Sequence, residues 1–183
     1  MRLLEMEKTV EIPPGVRVEV DGRVITITGE KGTLVRNFSH TPLSLKKEDQ
    51  SLRVRTDWPR KREAALVGTV ASHIQNMITG VINGFTYKLK IVFSHFPITV
   101  KVEKNRVLIE NFTGERSVRT ARIVGSTKVS VSSDDIIVQG IDLEDVSQTA
   151  ANIEQATKVK LKDPRVFLDG IYVYNRSEGM ENG

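Results

Sequence analysis

The stretch of sequence that decides the fold is VRVEVDGRVITITGEK, residues 16–31, in which apolar and polar residues alternate on both sides of an Asp-Gly pair. Strict alternation predicts a half-buried strand, because successive side chains of a strand point to opposite faces of its sheet. An Asp-Gly pair between two such runs is typical of a β-hairpin. The stretch therefore predicts two antiparallel strands, followed by a second turn at residues 29–31.

The same pattern returns in ITVKVEKNRVLIENFTGER, residues 98–116, with an alternating run, a turn, a second run and a Gly-Glu-basic turn. Further along, SLRVR at residues 51–55 and DIIVQ at residues 135–139 each precede a helical stretch. The offsets between matching segments run from 82 to 85 residues. Repetition at a nearly fixed offset indicates a duplicated module.

Each module ends in an amphipathic helix. For the first helix, Asp57 is the predicted N-cap and Pro59 lies in the first turn, where proline is tolerated. For the second, Asp142 is the predicted N-cap, and Glu144 and Asp145 place negative charge at the positive end of the helix dipole. The predicted apolar stripes are Val67, Val70, Ile74, Met77 and Val81 in the first helix, and Leu143, Val146, Ala150, Ile153 and Thr157 in the second.

The predicted fold class is therefore α+β, with two tandem duplicated units, each a small antiparallel sheet packed on one helix. We expect residues 1–82 to form the first unit. Residues 83–183 are expected to form the second unit, which carries a basic surface and the C-terminal tail.

Composition excludes several classes of protein. The chain has 183 residues, 39% of them hydrophobic, and no cysteine, so disulfides, thiolate zinc sites and a cysteine nucleophile are excluded. No run approaches the eighteen or so apolar residues of a membrane span, and the first residues lack the apolar stretch of a signal peptide. We therefore expect a cytoplasmic chain without a membrane partner.

The search for an active site finds none. The three histidines, His40, His73 and His95, are far apart and lack the spacing of paired metal ligands. GEKGT at residues 29–33 resembles a phosphate-cradling loop, but it lacks the Walker spacing and lies between two predicted strands. We expect no enzymatic activity, catalytic residue, metal or cofactor, and a phosphate-binding protein remains an alternative that rests on this loop alone.

Charge is sorted into blocks, although the net charge is only +4. Residues 104–128 hold six basic and two acidic residues, residues 129–156 hold six acidic and no basic residues, and residues 157–176 hold five basic and two acidic residues. The basic blocks favour a polyanionic partner. The acidic block leaves a protein–protein scaffold as another alternative.

The lysines of the last block are spaced by two, at Lys158, Lys160 and Lys162, with only Asp163 close enough to balance them. In an extended segment they point to the same side, as a grip on a ribose-phosphate backbone requires. Two other interpretations stay open: the lysines protect the edge of a short strand, or the helix continues as far as Lys160. Aromatic residues are few, and we expect no aromatic pair on a strand of the kind that an RNA-recognition sheet uses, so base stacking should not dominate.

Four segments resemble one known family. SHIQNMITGVINGFTYKLK at residues 72–90, HFPI at 95–98, NFTGER at 111–116 and QATKVKLKDPRVFLDGIYV at 155–173 resemble ribosomal protein six of the large subunit. The resemblance is to the archaeal form and its eukaryotic counterpart, protein nine, and extends over residues 9–173. The bacterial branch has a different, proline-rich segment after the second helix.

This resemblance implies a structural, rRNA-binding protein near the base of the ribosomal stalk and the sarcin–ricin loop. It implies large-subunit rRNA and neighbouring ribosomal proteins as partners, translational GTPases docking nearby, and a monomer within the ribosome. It also implies that the second unit is the main RNA-binding half, whereas the interspersed charge of the first unit suits solvent or protein. The candidate rRNA-binding residues are Arg116, Arg119, Arg122, Lys128, Lys158, Lys160, Lys162 and Arg165.

Overall fold

The computed structural model describes residues 4–160, 163 and 165–180 of the chain. The chain divides into two compact units, Met1–Asn83 and Gly84–Gly183. Each unit builds its own hydrophobic core from its own strands and helix.

In its described residues, from residue 4 onward, the first unit contains two three-stranded antiparallel sheets and one helix. The strand orders are β1-β6-β5 and β2-β3-β4. The elements are β1 (Glu5–Glu11), β2 (Arg17–Asp21), β3 (Val24–Gly29), β4 (Gly32–Asn37), β5 (Ser44–Glu48), β6 (Ser51–Asp57) and α1 (Lys61–Ile82).

The second unit repeats this order and adds a strand. Its sheets are β10-β9-β8 and β11-β12-β7-β13, and the added strand is β13. The elements are β7 (Phe85–Val92), β8 (Thr99–Glu103), β9 (Arg106–Glu110), β10 (Arg119–Arg122), β11 (Lys128–Ser132), β12 (Asp135–Gly140), α2 (Leu143–Ala156) and β13 (Gly170–Glu178).

The predicted fold class, α+β with a tandem duplication of sheet-plus-helix units, is confirmed. The structure refines the prediction, because each unit holds two small sheets instead of one. The second sheet arises because β6 pairs with β1 and β12 pairs with β7, across most of the length of their units. Alternation identifies strands, but it does not identify such distant pairing partners.

The start of α1 differs from the prediction. The helix begins at Lys61 with Arg60 as its N-cap residue, and the carboxylate of Glu63 accepts a hydrogen bond from the Arg60 N–H at 2.8 Å. Asp57, the predicted N-cap, is the last residue of β6, and its carboxylate accepts two hydrogen bonds from the Arg55 guanidinium, at 2.8 and 2.9 Å. The cap prediction was wrong because β6 continues through Asp57 and the helix begins only at Lys61.

The apolar stripe of α1 is buried as predicted. Val67, Ile74 and Val81 are fully buried, and they pack in the core with strands of both sheets, including Ile25 and Leu52. Full burial of such a side chain stabilises a fold by about 1.5–3 kcal/mol. By length and composition alone α1 could cross a membrane. Its buried stripe identifies it as the core helix of the first unit.

The β3–β4 hairpin packs on the C-terminal end of α1. Gly29 pairs with Gly32, which leaves a two-residue turn, as the sequence predicted. The Lys31 N–H donates to the Val81 carbonyl at 2.9 Å, and a Cβ at Gly29 would lie 2.7 Å from the Val81 side chain. The loop is therefore a hairpin turn packed against α1, and its Lys31 N–H is not available to a phosphate.

The start of α2 follows the prediction more closely. Asp142 is the N-cap, and its carboxylate accepts a hydrogen bond from the Glu144 N–H at 2.8 Å. Asp145, in the first turn, lies directly against Gly125, whose φ of +58° suits glycine. Burial, with the neighbouring charges of Asp142 and Glu144, raises the pKa of the Asp145 carboxyl above its ordinary value.

Gly29→Ala should lower the free energy of unfolding by about 1–3 kcal/mol, because the added methyl group overlaps Val81. Gly68→Ala is the matched control: it lies within α1, and no atom lies within 4 Å of the added carbon. This control should raise the free energy of unfolding by about 0.5–1 kcal/mol through helix propensity. Urea denaturation followed by circular dichroism measures both, and equal effects of the two substitutions would contradict the packing described here.

Asp145→Asn should raise the free energy of unfolding at neutral pH. A carboxyl group with a raised pKa in the folded state binds its proton more tightly there, so its contribution to stability is full below its ordinary pKa and is lost as the pH rises from that value through the higher pKa of the folded state. Asparagine does not ionise, so the variant does not lose this stability at neutral pH. The advantage of the variant should disappear below about pH 4, where the wild-type carboxyl is protonated as well. Denaturation at pH 3 and pH 7 tests this, and an advantage that persists at pH 3 contradicts it.

Candidate nucleic-acid interface

The segment that follows α2 presents two lysines outward. The helix ends at Ala156, so the lysines are not helical. Thr157 is 2% exposed and Val159 packs against the core, whereas Lys158 and Lys160 between and after them are exposed. The predicted alternation is therefore present over residues 157–160. Lys162 and Pro164 lie outside the described residues.

Side chains of α2 join this segment to β13. The Thr157 hydroxyl donates to the Glu154 carbonyl at 3.1 Å and accepts from the Ile171 N–H at 2.9 Å. The Glu154 carboxylate accepts from the Val173 N–H at 3.4 Å. Thr157 and Glu154 thus satisfy edge N–H groups of β13. Residues 157–160 form no strand, so Lys158 and Lys160 do not protect the edge of one.

Arg119 binds the backbone at the start of the lysine segment. Its guanidinium makes two hydrogen bonds to the Glu115 carboxylate, at 2.6 and 2.8 Å. It also donates to the Ala156 carbonyl at 2.9 Å, and it lies 4.3 Å from the centroid of the Phe112 ring. A cation bound to a C-terminal carbonyl stabilises the negative end of the helix dipole. The guanidinium of Arg119 is therefore occupied by groups of the protein and positions the lysine segment.

The other two arginines of the first basic block do not form a row with Arg119. Along β10, Arg119 and Ala121 face inward, whereas Thr120 and Arg122 are exposed. Arg116 is exposed in the loop before β10. A spacing of three residues does not keep side chains on one face of a strand, so the structure separates the arginines that the charge block groups together.

Lys128 lies on the outer face of the four-stranded sheet. It pairs with Gln139, which pairs in turn with Thr86. Lys88 and Lys90 follow Thr86 on the same face of β7, because the residues between them point into the core. Lys90 is also 3.4 Å from the carboxylate of Asp135. The alternation in FTYKLKIV signals these two lysines, which were missing from the predicted site.

Arg165 binds the carboxylate that the sequence places nearest the lysines. Its guanidinium bonds to Asp163 at 2.9 Å, and the resulting hydrogen bonds lower the pKa of the Asp163 carboxyl. The Arg165 N–H donates to the same carboxylate at 2.9 Å, and the N–H groups of Val166 and Phe167 donate to the Asp163 carbonyl at 3.1 Å. Asp163 thus organises a turn, and Arg165 remains highly exposed.

An aromatic groove of about 420 Å³ lies beside the lysine segment. Its lining includes the side chains of Lys158, Val159, Phe167 and Tyr172. Tyr172 donates a hydrogen bond to the Leu168 carbonyl at 3.1 Å, which fixes its ring. A Cβ at residue 170 would lie 2.9 Å from that ring, so Gly170 permits the ring to approach the backbone closely.

One strand carries two exposed tyrosines. Tyr172 and Tyr174 both lie on β13 and are 43% and 56% exposed. The pairing of β13 with β7 continues to Glu178 across a bulge, so the strand extends beyond the family-like segment that ends at residue 173. Among the described residues, no group of histidine and carboxylate side chains could hold a metal ion.

The comparisons with known proteins agree with this architecture. A family model described as "Ribosomal protein L6" matches residues 12–84 and 96–170, which gives one match in each unit. The large ribosomal subunit protein uL6 of Desulfurococcus amylolyticus is 52% identical over 182 residues, 98% of this chain and 99% of the relative. The uL6 proteins of Aeropyrum pernix and Methanobrevibacter smithii are 54% and 47% identical, over 91% and 93% of this chain and 92% and 96% of the relatives. The chain belongs to the ribosomal protein L6 family.

Proposed function

We propose that the chain binds large-subunit rRNA through its second unit, near the base of the stalk and the sarcin–ricin loop. Membership of the family makes it a structural, non-enzymatic protein of the large ribosomal subunit, and therefore of the cytoplasm. Under this proposal it is a monomer within the ribosome. Neighbouring ribosomal proteins contact it there, and translational GTPases dock nearby.

The observation that carries the proposal is the outward presentation of Lys158 and Lys160 on an anchored segment. Each lysine offers a mobile point charge that suits a phosphate and demands little of its geometry. The backbone below them is fixed by Arg119 and by Thr157. Because that backbone is already ordered, less conformational entropy is lost when RNA binds.

The aromatic groove adds a second kind of contact. Unpaired bases of RNA stack on aromatic rings, and a protein recognises them where a cationic side chain lies close by. Phe167 and Tyr172 line the groove beside Lys158, so a base in the groove would place its phosphate within reach of the lysines. We assign Lys128, Arg116, Arg122, Arg165 and the sequence-predicted Lys162 to surrounding phosphate contacts, and Arg119 to positioning.

The two alternative functions, a phosphate-binding protein and a protein–protein scaffold, have lost their support. The loop of residues 29–33 is a hairpin turn whose Lys31 N–H is used by α1. Several carboxylates of the acidic block have structural roles: Asp142 caps α2, Glu154 binds the edge of β13, and Asp135 lies beside Lys90. These contacts explain much of the acidic block without a protein partner.

Hydroxyl-radical footprinting tests the proposed location. Large subunits depleted of the chain and then reconstituted with it should show new protection of rRNA at the stalk base and around the sarcin–ricin loop. Protection confined to other regions of the rRNA would refute the location while leaving ribosome association intact.

Replacing Lys158 and Lys160 together by glutamine should weaken binding to isolated large-subunit rRNA and flatten its salt dependence. Each lost phosphate contact reduces the slope of log affinity against log salt by about 0.7–0.9, so the expected change is about 1.4–1.8. Filter binding at a series of salt concentrations measures the slope. Folding should be unaffected, because both side chains are exposed.

The matched control replaces Lys101 and Lys104, two exposed lysines of the β8–β9 hairpin in the same unit. Lys101 is already paired with Glu110 at 2.8 Å, so this variant changes the net charge equally but should lose less binding. Equal slopes for the two double variants would show that binding depends on net charge and not on the lysine segment.

Arg119→Gln and Arg122→Gln should separate positioning from phosphate contact. Arg119→Gln removes partly buried hydrogen bonds to a carboxylate and should lower the free energy of unfolding by about 1–3 kcal/mol. It should also weaken rRNA binding with little change in the salt slope. Arg122→Gln should leave stability within about 0.5 kcal/mol and flatten the slope by about 0.7–0.9. The reverse pattern would assign the phosphate contact to Arg119.

A further inference from the structure

The connection between β6 and α1 in the first unit carries an exposed aromatic and basic surface. We call it the Trp58 patch; it comprises Trp58, Arg60, Lys61 and Arg62. The Trp58 side chain is 61% exposed, and all three basic residues are exposed. Pro59 between them is buried, which anchors the connection to the unit.

The cations of the patch are not neutralised by the described part of the chain. Of the nearest carboxylates in sequence, Asp57 binds the Arg55 guanidinium, and Glu63 accepts from the backbone N–H of Arg60, so one carboxylate lies beside the three cations. The sheet arginines of the same unit differ in this respect. Arg53 contacts Glu7 and Glu48, at 3.2 and 2.7 Å, and Arg55 contacts Glu5 at 2.9 Å. The unit therefore compensates its sheet arginines and leaves the patch positive.

Two features of the patch oppose stability. Basic side chains at the start of a helix repel the positive end of its dipole. Trp58 has a φ of +50°, which is a genuine outlier for a bulky residue and costs about 1–3 kcal/mol. The Trp58 N–H donates to the Leu4 carbonyl at 2.8 Å, so this conformation is held in place with the ring in solvent. Neither feature is explained by the packing of the unit.

We propose that the Trp58 patch is a second RNA contact, in which an unpaired base stacks on Trp58 and adjacent phosphates bind Arg60, Lys61 and Arg62. The inference rests on the proposed function, since rRNA is the partner, but it uses a different unit of the chain. Basic and acidic residues are interspersed when charge is averaged over the whole first unit, and this average conceals a local cluster of three cations.

RNA fits the patch better than protein does. A tryptophan at the centre of a protein interface is usually surrounded by contacts that exclude water, and lysine is depleted there. Here the exposed neighbours of the ring in sequence are charged. Single-stranded nucleic acid matches both parts, because every base has a face that stacks and every nucleotide brings a phosphate.

The fluorescence of Trp58 provides the test, because the chain has one tryptophan. The full-length protein is titrated with an unstructured ten-nucleotide RNA carrying a dye, and dye anisotropy and tryptophan emission are recorded together. Stacking should quench the emission as the anisotropy rises. If anisotropy reports binding while the emission is unchanged, the RNA occupies only the second unit and the proposal is overturned. If the patch binds a protein instead of RNA, the tryptophan emission should likewise stay unchanged while the anisotropy rises.

Variants make the test specific. Trp58→Asn keeps a residue that tolerates positive φ and should weaken binding of the oligonucleotide by about 5- to 150-fold, the usual range for losing one stacked base. Trp58→Phe should restore part of the affinity. Replacing the three basic residues of the patch by glutamine should flatten the salt slope by about two units for single-stranded RNA.

The control triple variant replaces Lys8, Arg17 and Lys46, exposed cations elsewhere on the first unit, by glutamine. An equal loss of affinity in the control, or wild-type affinity in Trp58→Asn, would overturn the proposal. The proposed function is tested separately by the Lys158 and Lys160 variant, whose Trp58 quenching should persist. The two ideas can therefore fail independently.

Discussion

Each unit depends on the pairing of its first strand with the last strand before its helix. β1 runs antiparallel to β6 from Glu5 opposite Asp57 to Glu11 opposite Ser51, and β7 pairs in the same way with β12. Closing so long a segment costs entropy, which the buried side chains of the paired strands offset, Leu52 and Ile136 among them. The pairing fixes where the chain leaves the sheet, and so where each helix begins.

The two units share this scaffold but differ in the charge of their outer sheet faces. On the outer face of β6, Arg53 and Arg55 are compensated by carboxylates of β1, β5 and β6. The corresponding positions of β12 hold Ile137 and Gln139, and the cations of that face are lysines on β7 and β11. The second unit also adds β13, whose attachment to α2 forms the aromatic groove. The duplication thus preserved the pairing and changed the chemistry of the faces.

Sequence reasoning succeeded where the signal is local. The alternation in the β2–β3 hairpin, the apolar stripes of both helices and the N-cap at Asp142 each depend on residues within a few positions, and the structure confirms them. It failed where a distant or competing partner decides. Arg55 binds the carboxylate expected to cap α1, and the pairing of β13 with β7, which continues to Glu178, joins segments far apart in sequence. The outward lysines at residues 158 and 160 were predicted from their spacing, but the groove beside them was not, because the packing of Phe167 and Tyr172 is not local.

A count of basic residues therefore overstates the charge that a protein offers to RNA. A guanidinium has five donors in a fixed plane, which suits it to bind several protein groups at once, as Arg119 does with Glu115 and the end of α2. A lysine offers a compact charge on a flexible stem, and its ammonium group remains accessible even when its backbone is fixed. This difference explains why the arginine lies beneath the surface and the lysines above it. Loss of Arg119 would misplace the two lysines. A residue that shapes an RNA-binding surface therefore need not touch the RNA itself.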